Sequence, residues 1–132
     1  MEKKKVEFNI KLNYFDISEF DQPGLPGSGK EKMDINLLMI LDNMRHRSGI
    51  PYKITSGYRS QEYNDKLKNS SKNSAHIQGK AADISATDSR TKYSIIEAAL
   101  HFGIERIGVA SNFIHIDIQE ETEKTTKILW TY

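Results

Sequence analysis

Residues 74 to 83 read Ser-Ala-His-Ile-Gln-Gly-Lys-Ala-Ala-Asp, which sets His76 and Asp83 on either side of a glycine, and a further histidine, His115, stands near the end of the chain. Two imidazoles and a carboxylate are ligands of the kind that hold one zinc ion and leave a fourth position open to water, as catalytic zinc sites do. The chain has no cysteine, so disulfides, thiolate nucleophiles and cysteine-ligated metal are excluded together, and histidine and carboxylates are left as the strong ligands. Taken singly, His76 reads as an ordinary loop histidine and Asp83 as a turn or strand-end carboxylate. Their combination with His115 is what raises the metal above the bland reading. His46 and His101 fall at the ends of helical segments, where a partial negative charge favours imidazolium, and are not assigned to the metal.

These residues need elements to position them. Phe113, His115 and Asp117 alternate with Ile114, Ile116 and Ile118, so a strand there turns a histidine and an aspartate to one face and seals a core with the other. The same parity puts Asp83 with Ala81 and Ser85, away from Ala82 and Ile84. Small residues at Gly79, Ala81 and Ala82 would let the chain pass close to a neighbouring strand and the metal. Upstream, Val6 to Tyr14 alternate as a first strand, and residues 21 to 30, rich in proline and glycine, read as a loop. Gly24 to Lys30 imitates a phosphate-binding loop, but Glu31 stands where a hydroxyl should hold magnesium, and no buried strand leads into it.

Asp34 is placed to cap a helix with Ile35, Leu37, Leu38, Ile40, Leu41 and Met44 on one side, ending near Gly49. Tyr52 to Thr55 predict a short strand, and Ser60 a cap for a helix over Gln61 to Lys68. Asn69 to Ser74 is a polar loop that delivers the chain to His76. A third helix is expected from Ser89 to His101, with Tyr93, Ile96, Ala99 and Leu100 inward and Gly103 ending it. Strands follow near Arg106 to Ala110, Phe113 to Ile118 and Ile128 to Tyr132. The pattern predicts an α+β fold, a mainly antiparallel sheet with flanking helices, in one domain over residues 1 to 132.

Nineteen basic residues nearly balance eighteen acidic ones, and the net charge of +1 argues against nucleic acid as a partner. No run is long and apolar enough for membrane insertion, and the opening Met-Glu-Lys-Lys-Lys leads into no apolar segment of the signal-peptide kind. The expectation is a protein made in the cytoplasm without a signal peptide, a monomer in preference to an oligomer, which acts on an outside substrate if released and otherwise stays cytoplasmic.

Ser56-Gly57-Tyr58-Arg59-Ser60, Asn64, Ser74-x-His76-x-x-Gly79-x-Ala81-x-Asp83 and Phe113-Ile-His115-Ile-Asp117 together resemble, in order and spacing, the zinc D-Ala-D-Ala carboxypeptidase family of peptidoglycan hydrolases. The resemblance runs from about Tyr14 to Ile118, and the small single-domain form looks like those found in bacteriophages and bacteria. It implies the fold shared with D-alanyl-D-alanine dipeptidases and the Hedgehog signalling domain, and one zinc ion on His76, Asp83 and His115. It also implies that Arg59 lies in the cleft and steadies a developing oxyanion, a task suited to a permanently charged guanidinium. Tyr58 and Ser74 are the accompanying substrate-binding candidates.

One position departs from the pattern. Many members carry an acidic general base three residues before the last zinc histidine, where this chain has Asn112. Asp117 is the nearest strong candidate for that task, and Glu120 a weaker one. The expected function is zinc-dependent hydrolysis of an amide bond in peptidoglycan stem peptides, as a D,D-carboxypeptidase or endopeptidase of cell-wall lysis. The alternative is a metal-containing module that binds wall peptides without cutting them.

Overall fold

A computed structural model describes residues 11–67, 71 and 73–132. Its longest helix forms where the sequence supplies both ends. The Asp34 carboxylate accepts from the amides of Asn36 and Leu37, and Gly49 closes the helix in the left-handed conformation, giving α2 over Ile35–Ser48. Leu37, Leu38, Leu41 and Met44 are buried along it, whereas Ile35 at its first turn is largely exposed. Before it lie a 3-10 turn over Ile17–Phe20 and a five-residue helix, α1, Ser28–Lys32. The expected loop over 21 to 30 thus gives its last three residues to a helix. The expected first strand falls mostly outside the described residues, and the described part, 11 to 14, is not strand.

The remaining elements are β1 (Ile54–Ser56), α3 (Gln61–Lys66, capped by Ser60), β2 (Ala81–Ser85), α4 (Ser89–His101, capped by Asp88), β3 (Arg106–Val109), β4 (Phe113–Asp117) and β5 (Ile128–Thr131). They form one five-stranded sheet in the order β1-β2-β4-β3-β5, antiparallel throughout except where β5 runs parallel to β3. The fold is α+β, with helices against a mainly antiparallel sheet.

One face of that sheet carries Ala82, Ile84, Ile107, Ile114 and Ile116, all buried with the apolar side of α2 and with Ile95, Ala98 and Ala99 of α4. The inward stripe of α4 differs from the expected one. Tyr93 is 72% and Leu100 61% exposed, so the helix is turned by about one residue, roughly 100°. Ala99 is buried as expected and Ile96 packs partly buried against the core, while Ile95 and Ala98 complete the inward side and the helix lies close to both α2 and β4. Gly79 also departs from expectation. It has a φ of +69°, and a Cβ there would stand 2.0 Å from the Lys32 carbonyl oxygen, so its smallness serves contact with the end of α1 rather than with a strand or a metal. No helix among the described residues is long and apolar enough to cross a membrane.

Candidate metal centre

Register across the sheet builds the site. Ser56 lies opposite Asp83, Asp83 opposite His115, His115 opposite Gly108, and Gly108 opposite Trp130. Residues paired directly across strands share a face, so this row runs transversely over the side of the sheet opposite the isoleucines. A second row sets Ala81 beside Asp117 and Asp117 beside Arg106. Of the three expected ligands, His76 is the one not on a strand. The tight turns between residues 73 and 79 carry it over the row, and its backbone carbonyl is tied to the amide of Arg59 at 3.1 Å.

The three expected ligands come together. His76, Asp83 and His115 are all buried, and one donor atom from each lies within 4.8 Å of the others. Asp83 Oδ1 is 2.8 Å from His115 Nδ1 and 3.3 Å from His76 Nε2. Each ligand also has an outer partner. His76 Nδ1 donates to the Gly57 carbonyl at 2.7 Å, which leaves Nε2 facing the centre. His115 Nε2 faces Asp117 Oδ2 at 2.8 Å, which leaves Nδ1 facing the centre. Asp83 Oδ2 accepts from Arg59 Nη2 at 3.4 Å. Imidazoles fixed from behind by a carbonyl and a carboxylate, with a carboxylate between them, are what a divalent ion needs, and the donor set fits zinc.

Charge follows the same geometry. Burial works to lower the His115 pKa, but hydrogen bonds to Asp117 and Asp83 and the charges of both outweigh it and raise the imidazole to about 9. Burial works to raise Asp83, yet the two imidazoles that bond it hold it well below the ordinary carboxylate range. Asp117 is likewise lowered against the effect of burial, chiefly by His115 and then by Arg106. Without metal, Asp83 and Asp117 favour a proton on the His115 imidazole. A cation with two positive charges bound at the centre would take the place of the proton on Nδ1.

The cleft over this centre has a volume of about 500 Å³. Arg59 lines it, with Nε bonded to Ser56 Oγ at 3.0 Å and Nη1 to Asn64 Oδ1 at 3.3 Å, and burial lowers the pKa of its guanidinium. Ser74 also lines the cleft, and its Oγ accepts the amide of His76 at 3.3 Å. Tyr58 does not reach it. The partly buried side chain packs against the hydrophobic core. Asn112 is exposed in the β3–β4 connection and Glu120 is exposed beyond β4, and neither lines the cleft. Among the described residues that do, the carboxylates are Asp83 and Asp117.

Asp117 is 2% exposed, and both its oxygens are engaged. Oδ2 meets His115, while Oδ1 accepts from Arg106 Nε at 2.7 Å and from the Gln119 amide at 3.1 Å. The side chain two positions along the strand has reached the far nitrogen of the same imidazole rather than the open side of the centre.

Several lining residues were not singled out from the sequence. Arg106 bonds Asp117, donates to the Thr125 carbonyl and stacks its guanidinium 5.1 Å from the centre of the Trp130 ring. Trp130 lies 5.5 Å from His115, and Tyr132 lies 5.3 Å from Phe113, so these aromatics wall one side of the cleft. Gly108 makes room for that wall, since a Cβ there would stand 2.7 Å from the Trp130 ring. The available signal was hairpin parity, which pairs Arg106 with Asp117. The parallel docking of β5 had no local signal.

A buried two-histidine, one-aspartate group with outer partners, set in an open cleft on an α+β sheet, is a site that could hold a divalent metal ion. The family model for peptidase M15 matches residues 13–117, and the chain belongs to that family of zinc-dependent peptidases. No curated protein matches the chain.

Proposed function

We propose that this protein is a zinc peptidase that hydrolyses an amide bond in the peptide stems of bacterial cell wall. The observation that carries the reading is the convergence of His76 Nε2, Asp83 Oδ1 and His115 Nδ1 in an open cleft, within a chain of the M15 family. A zinc ion bound there supplies Lewis acidity at a scissile carbonyl and lowers the pKa of water.

The chain's own residues complete the site. Three acceptors hold Arg59 at the edge of the centre, and a guanidinium has five N–H donors, so donors are left to face the carbonyl oxygen as it gains negative charge. Ser74 bonds the backbone of His76 through its lone pair and keeps its hydroxyl proton for substrate. Asp117 acts on His115, fixing the tautomer that turns Nδ1 inward, and Arg106 keeps Asp117 ionised for that role. Service as general base would require Asp117 to exchange His115 for water.

The test is digestion. The zinc-loaded protein should release new amines or free D-alanine from peptidoglycan or synthetic stem peptides. No release, under conditions in which a known wall hydrolase works, sinks the reading. One observation favours a second reading, a metal-bound module that grips wall peptides without cutting them: the cleft's two described carboxylates are both committed to histidine. Peptide binding without turnover in the same assay would select it.

A further inference from the structure

The cleft continues sideways into a second, more polar cavity of about 310 Å³, and the two share Asn73, Ser74, Gln119 and Lys124. Three cations line the pair of cavities, and they are not equivalent. Arg59 pairs with Asp83 at 3.4 Å and Arg106 with Asp117 at 2.7 Å, so both are matched by a carboxylate of the metal centre. Lys124 lines both cavities, and among the described residues no carboxylate stands within ion-pair distance of its ammonium. Its backbone is held, with the amide bonded to the Glu120 carbonyl at 3.0 Å in the turn after β4.

The acid beside it does not cancel it. Glu123 is the described carboxylate of the second cavity, and its two oxygens are already engaged, one by Lys80 at 3.0 Å and the other by Gln78 at 2.8 Å. Around Lys124 the cavity offers neutral donors instead. Gln119 is buried, and its amide nitrogen makes two long contacts, 3.5 Å each, to Asn73 and Gln78, which it can exchange for a better acceptor. An unmatched ammonium with amide and hydroxyl donors beside it suits a carboxylate.

We propose that Lys124, at the junction of the two cavities, binds a carboxylate of the substrate and so sets which peptides the cleft accepts. This rests on the peptidase reading above for its substrate class. A stem peptide can present that group at its chain terminus, beside the cut bond, or on a residue further along, and both have the same chemistry. Lys124 is a specificity residue, and its removal changes binding rather than the chemical step.

The experiment compares three synthetic stem peptides: one with both carboxylates free, one with an amidated C-terminus and one with the internal carboxylate amidated. Zinc-loaded wild type, Lys124→Gln and Lys124→Arg are assayed for kcat, KM and, by titration of the peptide, Kd, with the melting temperature as a check of folding. In the wild type, amidating the recognised carboxylate should raise KM and Kd about tenfold, and the arm that shows the rise identifies its source. Lys124→Gln should bind all three peptides equally weakly at unchanged kcat, and Lys124→Arg should restore discrimination. If Lys124→Gln discriminates as the wild type does, or loses kcat at unchanged KM, the proposal is overturned. Absence of turnover with Lys124-dependent Kd differences removes the peptidase reading and leaves the carboxylate site standing. Turnover without such differences does the reverse.

Discussion

The two faces of the sheet are built from the same strands and held by different physics. On one face Ala82, Ile84, Ile107, Ile114 and Ile116 meet α2 and α4 with no polar partner to satisfy. What matters there is apolar volume, and a side chain of similar size and shape is tolerated. On the other face Asp83, His115 and Asp117 alternate with those same residues, and each is fixed by named donors and acceptors at 2.7 to 3.4 Å. Volume is secondary there, and chemical identity decides. A single strand such as β4 therefore separates stability from activity residue by residue.

The sharpest way to break this comparison is to cut adjacent residues of β4 one at a time. His115→Ala removes a metal ligand, and the loss of several kcal/mol of transition-state stabilisation lowers turnover by about a thousandfold or more. Metal content by atomic absorption should fall with it, and the melting temperature of the metal-free protein should fall as well, because Asp83 and Asp117 lose the imidazole that pairs with them. Ile114→Ala is the mirror experiment. Ile114 is fully buried, and a cavity there costs about 2–5 kcal/mol of unfolding free energy, read by urea titration. Turnover per folded molecule and metal affinity should stay near wild type. If Ile114→Ala abolishes metal binding in protein that is still folded, the two faces are coupled and the division fails.

Much of this arrangement can be read from the sequence because its determinants are local. Strand parity places His115 and Asp117 opposite the isoleucines, Asp34 and Gly49 mark the ends of α2, and the spacing around Gly79 links His76 to Asp83. What escapes is set by partners distant in sequence. Trp130 enters the cleft because β5 docks parallel to β3, and no residue of β5 announces that neighbour. The rotation of α4 buries Ile95 and Ala98 beside the expected Ala99, whereas apolar periodicity alone points to Tyr93 and Leu100, which face solvent. Tyr58 belongs to a recognised motif yet turns to the core, since a motif records which residues occur together and not which way each points. The reach of Asp117 to His115 is a matter of rotamers, beyond what alternation gives.

Asp117→Asn sharpens the comparison on the polar face itself, with the smallest expected effect of the three. As an orienting residue, Asp117 accepts a hydrogen bond from the His115 Nε2–H and so fixes Nδ1 as the inward atom; an amide keeps the shape but can present its NH2 to the ring and favour the wrong tautomer. Metal affinity and turnover should then fall together, each by about 10- to 100-fold, and excess zinc should recover part of the turnover. A general base behaves differently. Its loss would lower turnover by about a hundredfold or more with zinc affinity unchanged, and no concentration of zinc would recover it. Measuring zinc affinity and turnover on the same samples separates the two, because one role acts through the metal ligand and the other does not. The engagement of both Asp117 oxygens by His115, Arg106 and Gln119 favours the first outcome. An unchanged zinc affinity beside a large fall in turnover would return Asp117 to proton transfer and show that its bond to His115 opens during the reaction.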